Sequence, residues 1–172
     1  MIIWMIGMSG SGKTTLGREV AQQWRETATN VVLLDGDEMR EIFRNDRGDQ
    51  AYSLEGRREN AERIVALCDM LDRQNINVVC CILSIFADMR AENRTRFSRY
   101  FEVFMDAPLE VLRQRDVKGL YSAYDRGKTS NVVGIDIPFQ PPVSADMVID
   151  SSGDDPELQN LASAVLTEAM PS

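Results

Sequence analysis

The string Gly7-Met-Ser-Gly-Ser-Gly-Lys-Thr14 constrains this chain more than any other feature. It fits G-x-x-x-x-G-K-[ST] without a mismatch, follows the apolar run Ile2 to Ile6, and precedes a segment of helical period from Lys13 to Thr27. Glycines at these places let the backbone curl until successive N–H groups point inward. The helix that follows directs the positive end of its dipole at the same anion. A strand, loop and helix of this kind predict a nucleoside triphosphate site. Gly7, Ser9, Gly10, Ser11, Gly12, Lys13, Thr14 and Thr15 would cradle ATP, with Lys13 reaching the β and γ phosphates and the Thr14 hydroxyl on Mg²⁺. A Gly/Ser-rich turn matching by chance would explain neither flank.

The rest of the chain repeats this rhythm. Ile2 to Ile6, Val31 to Leu34, Ile76 to Leu83, Phe101 to Met105 and Met147 to Ile149 are short runs rich in Val, Ile and aromatics, and predict five strands. Helical periods cover Lys13 to Thr27, Leu54 to Arg73, Ala87 to Arg99, Pro108 to Arg115 and Pro156 to Glu168, the last capped from the Asp150 to Asp155 turn. Strands apolar on both faces and joined by helices require crossover connections, hence a mostly parallel sheet covered on both sides. The expected fold is α/β: a three-layer α/β/α domain of the P-loop NTPase type. At 172 residues, one domain over 1–172 is expected. Arg44 to Ser53 and Val117 to Ser144 break the rhythm. The second, about 117–144, is expected to be a substrate-covering lid without regular structure.

Composition excludes several chemistries. There is no histidine, so imidazole acid–base work, His-containing metal sites and Ser-His-Asp hydrolysis are ruled out. Asp, Lys and Arg must carry any reaction. A formal charge of −8 disfavours tight nucleic-acid binding, which needs clustered cations, and points to a small-molecule partner. Cys68, Cys80 and Cys81 lie in apolar runs without ligand spacing and read as reduced core thiols of a cytoplasmic protein. The N-terminal apolar run is too short to span a membrane. Trp4 and Trp24 are expected to be packing residues.

Val-Val-Leu-Leu-Asp35-Gly-Asp37 puts two carboxylates at the carboxyl end of the second strand, where ligands of open α/β sheets collect. One could serve a hydrated metal ion and the other accept a proton from an attacking hydroxyl. The competing reading is a helix N-cap.

A wider pattern follows: Asp35-Gly-Asp37 with Arg40, Tyr52-Ser53, Arg57 with Glu59 and Asn60, Phe104 to Pro108, Arg115-Asp-Val-Lys118-Gly-Leu-Tyr121, and Gly134-Ile-Asp136 with Pro138. From residue 2 to about residue 150 this resembles the adenylylsulfate kinase family. The resemblance implies transfer of the γ-phosphoryl of ATP to the 3′-hydroxyl of adenylyl sulfate, as in sulfate assimilation. By that likeness Asp37 orients and deprotonates the hydroxyl, and Asp35, with Thr14, faces the metal. Tyr52, Leu83, Ser84, Gly134 and Ile135 line the acceptor, and Arg40, Arg57, Asn60 and Lys118 bind it. Ser84 matches a serine sometimes assigned as a phosphorylated intermediate, although in-line transfer needs none. Arg115 is expected to close over the ATP phosphates, whereas Arg113 reads as solvated surface. Homodimerisation is implied by the family alone.

The match fails on the acceptor side. Val132-Val133-Gly134 stands where the family has Phe-Thr-Gly, whose ring stacks on adenine, and Tyr52 replaces a second Phe. Loss of one aromatic face removes about 1–3 kcal/mol of base contact. Ser84-Ile-Phe86-Ala-Asp-Met-Arg90 departs from Ser-Pro-Tyr-Arg, and Gly56 stands where Asp is usual. These departures fit a second acceptor, a pyrimidine conjugate such as the cytidine diphosphoramidate of capsular polysaccharide modification, whose kinases resemble this family. A third reading, a regulatory module that binds ATP without transferring it, has no use for a second carboxylate or a cationic acceptor pocket.

Overall fold

The computed structural model describes residues 1–153 and 157–170. Five strands, β1 (Ile2–Ile6), β2 (Val31–Asp35), β3 (Asn77–Ile82), β4 (Tyr100–Asp106) and β5 (Met147–Asp150), form one sheet in the order β2-β3-β1-β4-β5. Every pairing is parallel, so the expected mostly parallel sheet is wholly so. Helices α1 (Lys13–Thr27) and α3 (Leu54–Arg73) carry the predicted bounds. Helix α4 (Ala87–Arg96) stops short of Arg99, because the chain must turn through buried Phe97 before entering β4. Helix α5 is Leu109–Arg115 and α7 is Leu158–Ala169. Pro156 and the Asp154–Asp155 part of the expected cap lie outside the described residues.

Period-2 alternation along β1 separates two cores. Ile3 and Met5 join Leu16, Val20 and Trp24 of α1 and Val165 of α7 on one face. Ile2, Trp4 and Ile6 join Ile64, Val65 and Cys68 of α3 on the other. The three-layer expectation holds for this physical reason: a strand buried on both faces needs a helical layer on each. Among the described residues no helix is long and apolar enough to cross a membrane.

Two helices were not expected. Gly36–Ile42 forms α2, whose N-cap is Asp35, its side chain accepting from the Asp37 N–H at 2.9 Å. Leu120–Asp125 forms α6, inside the segment expected to lack regular structure. Asp116 fastens its first turn by accepting from the N–H groups of Tyr121 (2.9 Å) and Ser122 (3.0 Å). A small apolar cluster of Ala107, Leu112, Tyr121 and Val132 lies beneath it. The 117–144 segment, called the cap below for its position, therefore contains regular structure, and its Tyr121 and Val132 share a small apolar core with Ala107 and Leu112.

Two glycines mark close approaches. A Cβ on Gly17 would overlap Cys81 Sγ and sit 3.1 Å from Met5 Sδ, so α1 lies directly on β1 and β3 there. A Cβ on Gly56 would overlap the Gln50 carbonyl and sit 3.1 Å from the Ala51 carbonyl oxygen. The 3₁₀ turn at Asp49–Tyr52 thus rests on the first turn of α3, which accounts physically for glycine at this position. Gly17→Ala is expected to lower unfolding free energy by about 1–3 kcal/mol in denaturant titration, with much of the loss recovered in Gly17→Ala/Cys81→Ala. For Gly56→Ala, where the obstacle is backbone and cannot rotate away, the same titration should show a loss of about 1–3 kcal/mol that no neighbouring side-chain truncation restores.

Candidate active site

The carboxyl ends of β1, β2 and β3 open on a cavity of about 530 Å³. Sheet register sets its floor: Ile6 pairs with Ile82, and Asp35 with Cys81, so the loop after β1, the acidic turn after β2 and the Leu83–Ser84 turn after β3 emerge side by side. Ser9, Lys13, Thr14, Asp35, Asp37, Arg40, Tyr52, Arg57, Asn60, Leu83, Ser84 and Lys118, all singled out from sequence, line this one cavity.

On the phosphate-loop side, Gly10 and Gly12 take positive φ (84° and 86°), the left-handed turn that the loop needs before α1. A Cβ on Gly7 would collide with Ser11 Oγ and approach the Met105 carbonyl to 2.9 Å. Ser11 Oγ is buried there with no hydrogen-bond partner among the described residues. The Lys13 ammonium donates to the Met8 carbonyl at 3.1 Å, and burial holds its pKa below the usual lysine value. Thr14 Oγ1 donates to Asp35 at 2.6 Å. Burial alone would raise the Asp35 pKa, but this hydroxyl and the N–H groups of Asp37 and Glu38 hold it below the ordinary carboxylate value. Asp35 thus caps α2 with one oxygen while the other accepts from Thr14, so the two readings of the acidic turn are compatible.

Asp37 stands one residue into α2, with its side chain 60% exposed, and forms an ion pair with Lys118 of the cap. Burial would lower the Lys118 pKa, yet the hydrogen bond and charge of Asp37 raise it. Arg40 is buried and donates to the Ala51 carbonyl at 2.7 Å, its guanidinium 4.9 Å from the Tyr52 ring centre. Arg57 donates to the carbonyls of Tyr52 (2.9 Å) and Asn131 (2.7 Å), tying α3 to the cap. Burial and the neighbouring Arg40 bring its pKa down to about 10, still cationic at neutral pH. Asn60 Oδ1 is buried without a hydrogen-bond partner among the described residues.

Outside the phosphate loop, Arg115, Gly134 and Ile135 are the expected ligand residues that do not line the cavity. Arg115 does not reach the cavity: it donates to the carbonyls of Ser151 (2.7 Å), Ser152 (3.2 Å) and Gly153 (2.6 Å), because the end of β5 presents it with free acceptors. Gly134, at φ 93°, packs against Met8, where a Cβ would come within 2.7 Å of Sδ. Ile135 packs against the small cap core. Neither lines the cavity, and Val133 occupies that wall instead. Val132 is buried in the cap core rather than facing the cavity. Arg113 pairs with Asp125 at the surface, as expected.

The Lys118-Gly-Leu-Tyr121 string is a clamp with two ends. Lys118 meets Asp37, and the Tyr121 hydroxyl donates to the Ser9 carbonyl of the phosphate loop at 3.1 Å. Gly119, at φ 64°, makes the turn between them. Two residues that were named from sequence without a site role also meet Ser84. Trp4 Nε1 donates to Ser84 Oγ at 2.9 Å, and Arg90 donates to the Ser84 carbonyl. An apolar strand pattern conceals the first, since it shows that Trp4 is buried but not what its N–H meets.

Known proteins resemble this chain in sequence and in fold. A family model described as adenylylsulphate kinase matches residues 1–150. A cytidine diphosphoramidate kinase of Campylobacter jejuni is 37% identical over 151 residues, 88% of this chain and 86% of that protein. An adenylyl-sulfate kinase of Gloeothece citriformis is 38% identical over 145 residues, 84% of this chain and 81% of that protein. The structure of a Mycobacterium tuberculosis APS kinase in complex with AMPPNP and APS superposes with a TM-score of 0.85 at 30% identity, covering 97% of this chain and 95% of that one. The chain belongs to the adenylylsulphate kinase family and is an ATP-using kinase, a phosphotransferase to an alcohol acceptor on a small nucleotide.

Proposed function

We propose that the chain transfers the γ-phosphoryl of ATP to the ribose 3′-hydroxyl of a nucleoside 5′-conjugate bound in the cavity. The observation that carries this reading is the joint presence, in one cavity, of the phosphate-loop Lys13, the Asp35–Asp37 turn and the cationic set of Arg40, Arg57 and Lys118. A triphosphate at the loop would put its γ phosphate near Lys13. The acceptor's 5′ anion would lie among Arg57, Asn60 and Lys118, with Arg40 behind Tyr52. Asp37 then takes the proton of the 3′-hydroxyl as its oxygen bonds to the γ phosphorus and the bond to the ADP oxygen breaks. An incoming anion competes with Asp37 for Lys118, so acceptor binding itself frees the base.

A divalent cation fits the donor set. Thr14 and Asp35 offer two hard oxygens within hydrogen-bond distance of each other, and Mg²⁺ is commonly held by one or two such groups plus phosphate and water. When bound, it would neutralise charge on the β and γ phosphate oxygens.

Adenylyl sulfate is the acceptor that the family likeness implies. The second reading, cytidine diphosphoramidate, is favoured by a specific observation: of the positions matching the family's aromatic triplet, Val132 is buried in the cap core and only Val133 lines the cavity. Both conjugates are anionic on the 5′ side, so the cations do not distinguish them, and selection falls to the base wall. With Tyr52 as the aromatic face on that side, a small pyrimidine loses less stacking than adenine does.

Two experiments test this. Steady-state turnover with Mg-ATP should reach a kcat/KM of about 10⁴ M⁻¹s⁻¹ or more for a conjugated acceptor and far less for plain adenine and cytidine nucleotides. Adenylyl sulfate and cytidine diphosphoramidate should be compared side by side, the base-wall argument requiring preference for the second; ATP hydrolysis without acceptor phosphorylation would overturn the kinase reading. Asp37→Asn should lower kcat by about 10²–10⁴-fold while ATP binding, followed by calorimetry, stays intact. A near-normal kcat in that variant would remove Asp37 from the role of base.

A further inference from the structure

Ser84 holds an unusual backbone conformation. Its φ of 53° lies in the left-handed region, which is strained for a residue with a side chain and persists only where the surroundings hold it. Two side chains hold Ser84 in this turn. The buried Arg90 guanidinium donates from Nη1 to the Ser84 carbonyl and from Nη2 to the Gln140 carbonyl at 3.3 Å, which joins this turn to the end of the cap segment. The Trp4 indole donates from Nε1 to Ser84 Oγ at 2.9 Å. That indole is 1% exposed and is fixed by the rings of Phe97 and Tyr100, whose centres lie 6.3 and 6.2 Å away.

The chemistry of this contact has one direction. An indole N–H only donates, so it occupies a lone pair of Ser84 Oγ and leaves the serine's own proton to be given elsewhere. Among the described residues no group accepts a hydrogen bond from that hydroxyl, and Ser84 lines the cavity. A freely rotating serine would alternate between donor and acceptor. This one is set as a donor.

We propose that Trp4 is a positioning residue for the acceptor: from inside the hydrophobic core it orients the Ser84 hydroxyl to donate a hydrogen bond to an oxygen of the acceptor. The inference rests on the reading of this cavity as the acceptor site. It also explains why a core strand position carries tryptophan where a purely apolar ring would pack. An indole N–H cannot take up the proton that a serine nucleophile must lose, so the arrangement suits Ser84 to binding and not to covalent relay.

The test combines kinetics with a signal that does not depend on turnover. Trp4→Phe keeps the ring and removes the donor; Ser84→Ala removes its target. Using whichever of adenylyl sulfate and cytidine diphosphoramidate the wild type phosphorylates, each single variant should lose about 3- to 10-fold in kcat/KM for the acceptor, with the KM for ATP unchanged. The double variant should be no worse than Ser84→Ala alone, because both changes remove the same contact. Multiplying losses, or an unchanged acceptor kcat/KM in Trp4→Phe, would overturn the proposal. Should Trp4→Phe fail to fold, the indole N–H resonances of the two tryptophans decide. The Trp4 signal should move in Ser84→Ala, and should respond to added acceptor with Mg-ADP in the wild type only. A Trp4 signal that stays in place in Ser84→Ala means that the hydrogen bond is absent and the proposal fails. If the wild type phosphorylates neither conjugate, the functional reading fails separately, while the resonance still judges the Trp4–Ser84 pair.

Discussion

The register of β1 between β3 and β4 is the constraint on which the rest of the molecule depends. Ile6 pairs with Ile82 on one side and with Phe104 on the other, and all five residues of β1 are buried. Parallel strands held in this register end at one level, so the loops that follow them form a common edge. A slip of one residue would exchange Ile2, Trp4 and Ile6 for Ile3 and Met5 between the two cores, which strand burial on both faces forbids. The same alternation that aims Ile3 and Met5 at α1 aims Trp4 at the opposite face, where its N–H meets Ser84. Packing and site geometry are one arrangement here.

Beyond that edge the chain is irregular, and arginines replace the ladder. Arg40 holds Ala51, Arg57 holds Tyr52 and Asn131, and Arg90 holds Ser84 and Gln140, all through backbone carbonyls. A planar guanidinium with five donors can fasten two loops at once, which no strand pairing does for segments that run at odd angles. Burial weakens the preference for charge, yet Arg57 at about 10 remains protonated at neutral pH. One wall of the cavity therefore stays cationic on a chain whose formal charge is −8.

How much of this was legible in the sequence depended on whether the signal was periodic. Five strands, the bounds of α1 and α3 and the phosphate loop follow from patterns that burial itself imposes. The acidic turn was legible as a pair of alternatives, and Asp35 caps α2 with one oxygen while its other oxygen accepts from Thr14. Helices α2 and α6, at seven and six residues, are too short for a period to emerge; Asp35 caps the first, and Asp116 accepts from N–H groups in the first turn of the second. Arg115, Gly134 and Ile135, expected at the ligands, lie outside the cavity lining, since a motif shows which residues belong together but not which of them face the cavity. Trp4 was legible as a packing residue and Arg90 as part of the stretch after Ser84, but periodicity gives neither one's hydrogen-bond partner.

Three of the contacts that attach the cap differ in character, and that difference bears on how acceptor and cap interact. Tyr121 on Ser9 is a neutral hydrogen bond to the phosphate loop, whereas Lys118 on Asp37 and Arg57 on Asn131 use cations that the proposed function assigns to the acceptor. The Lys118–Asp37 pair has both side chains 60% exposed, so in water it contributes about 0–1 kcal/mol at most and can be exchanged at little cost. An anion entering the cavity would therefore trade contacts with these cations rather than add to an unchanged set. Tyr121 and the small core of Ala107, Leu112 and Val132 need not take part in that trade. On this reading the cap stays hinged to the ATP side while its acceptor side is re-paired by whatever conjugate enters, which places selectivity in the loops held by arginine and leaves the phosphate loop common to every acceptor.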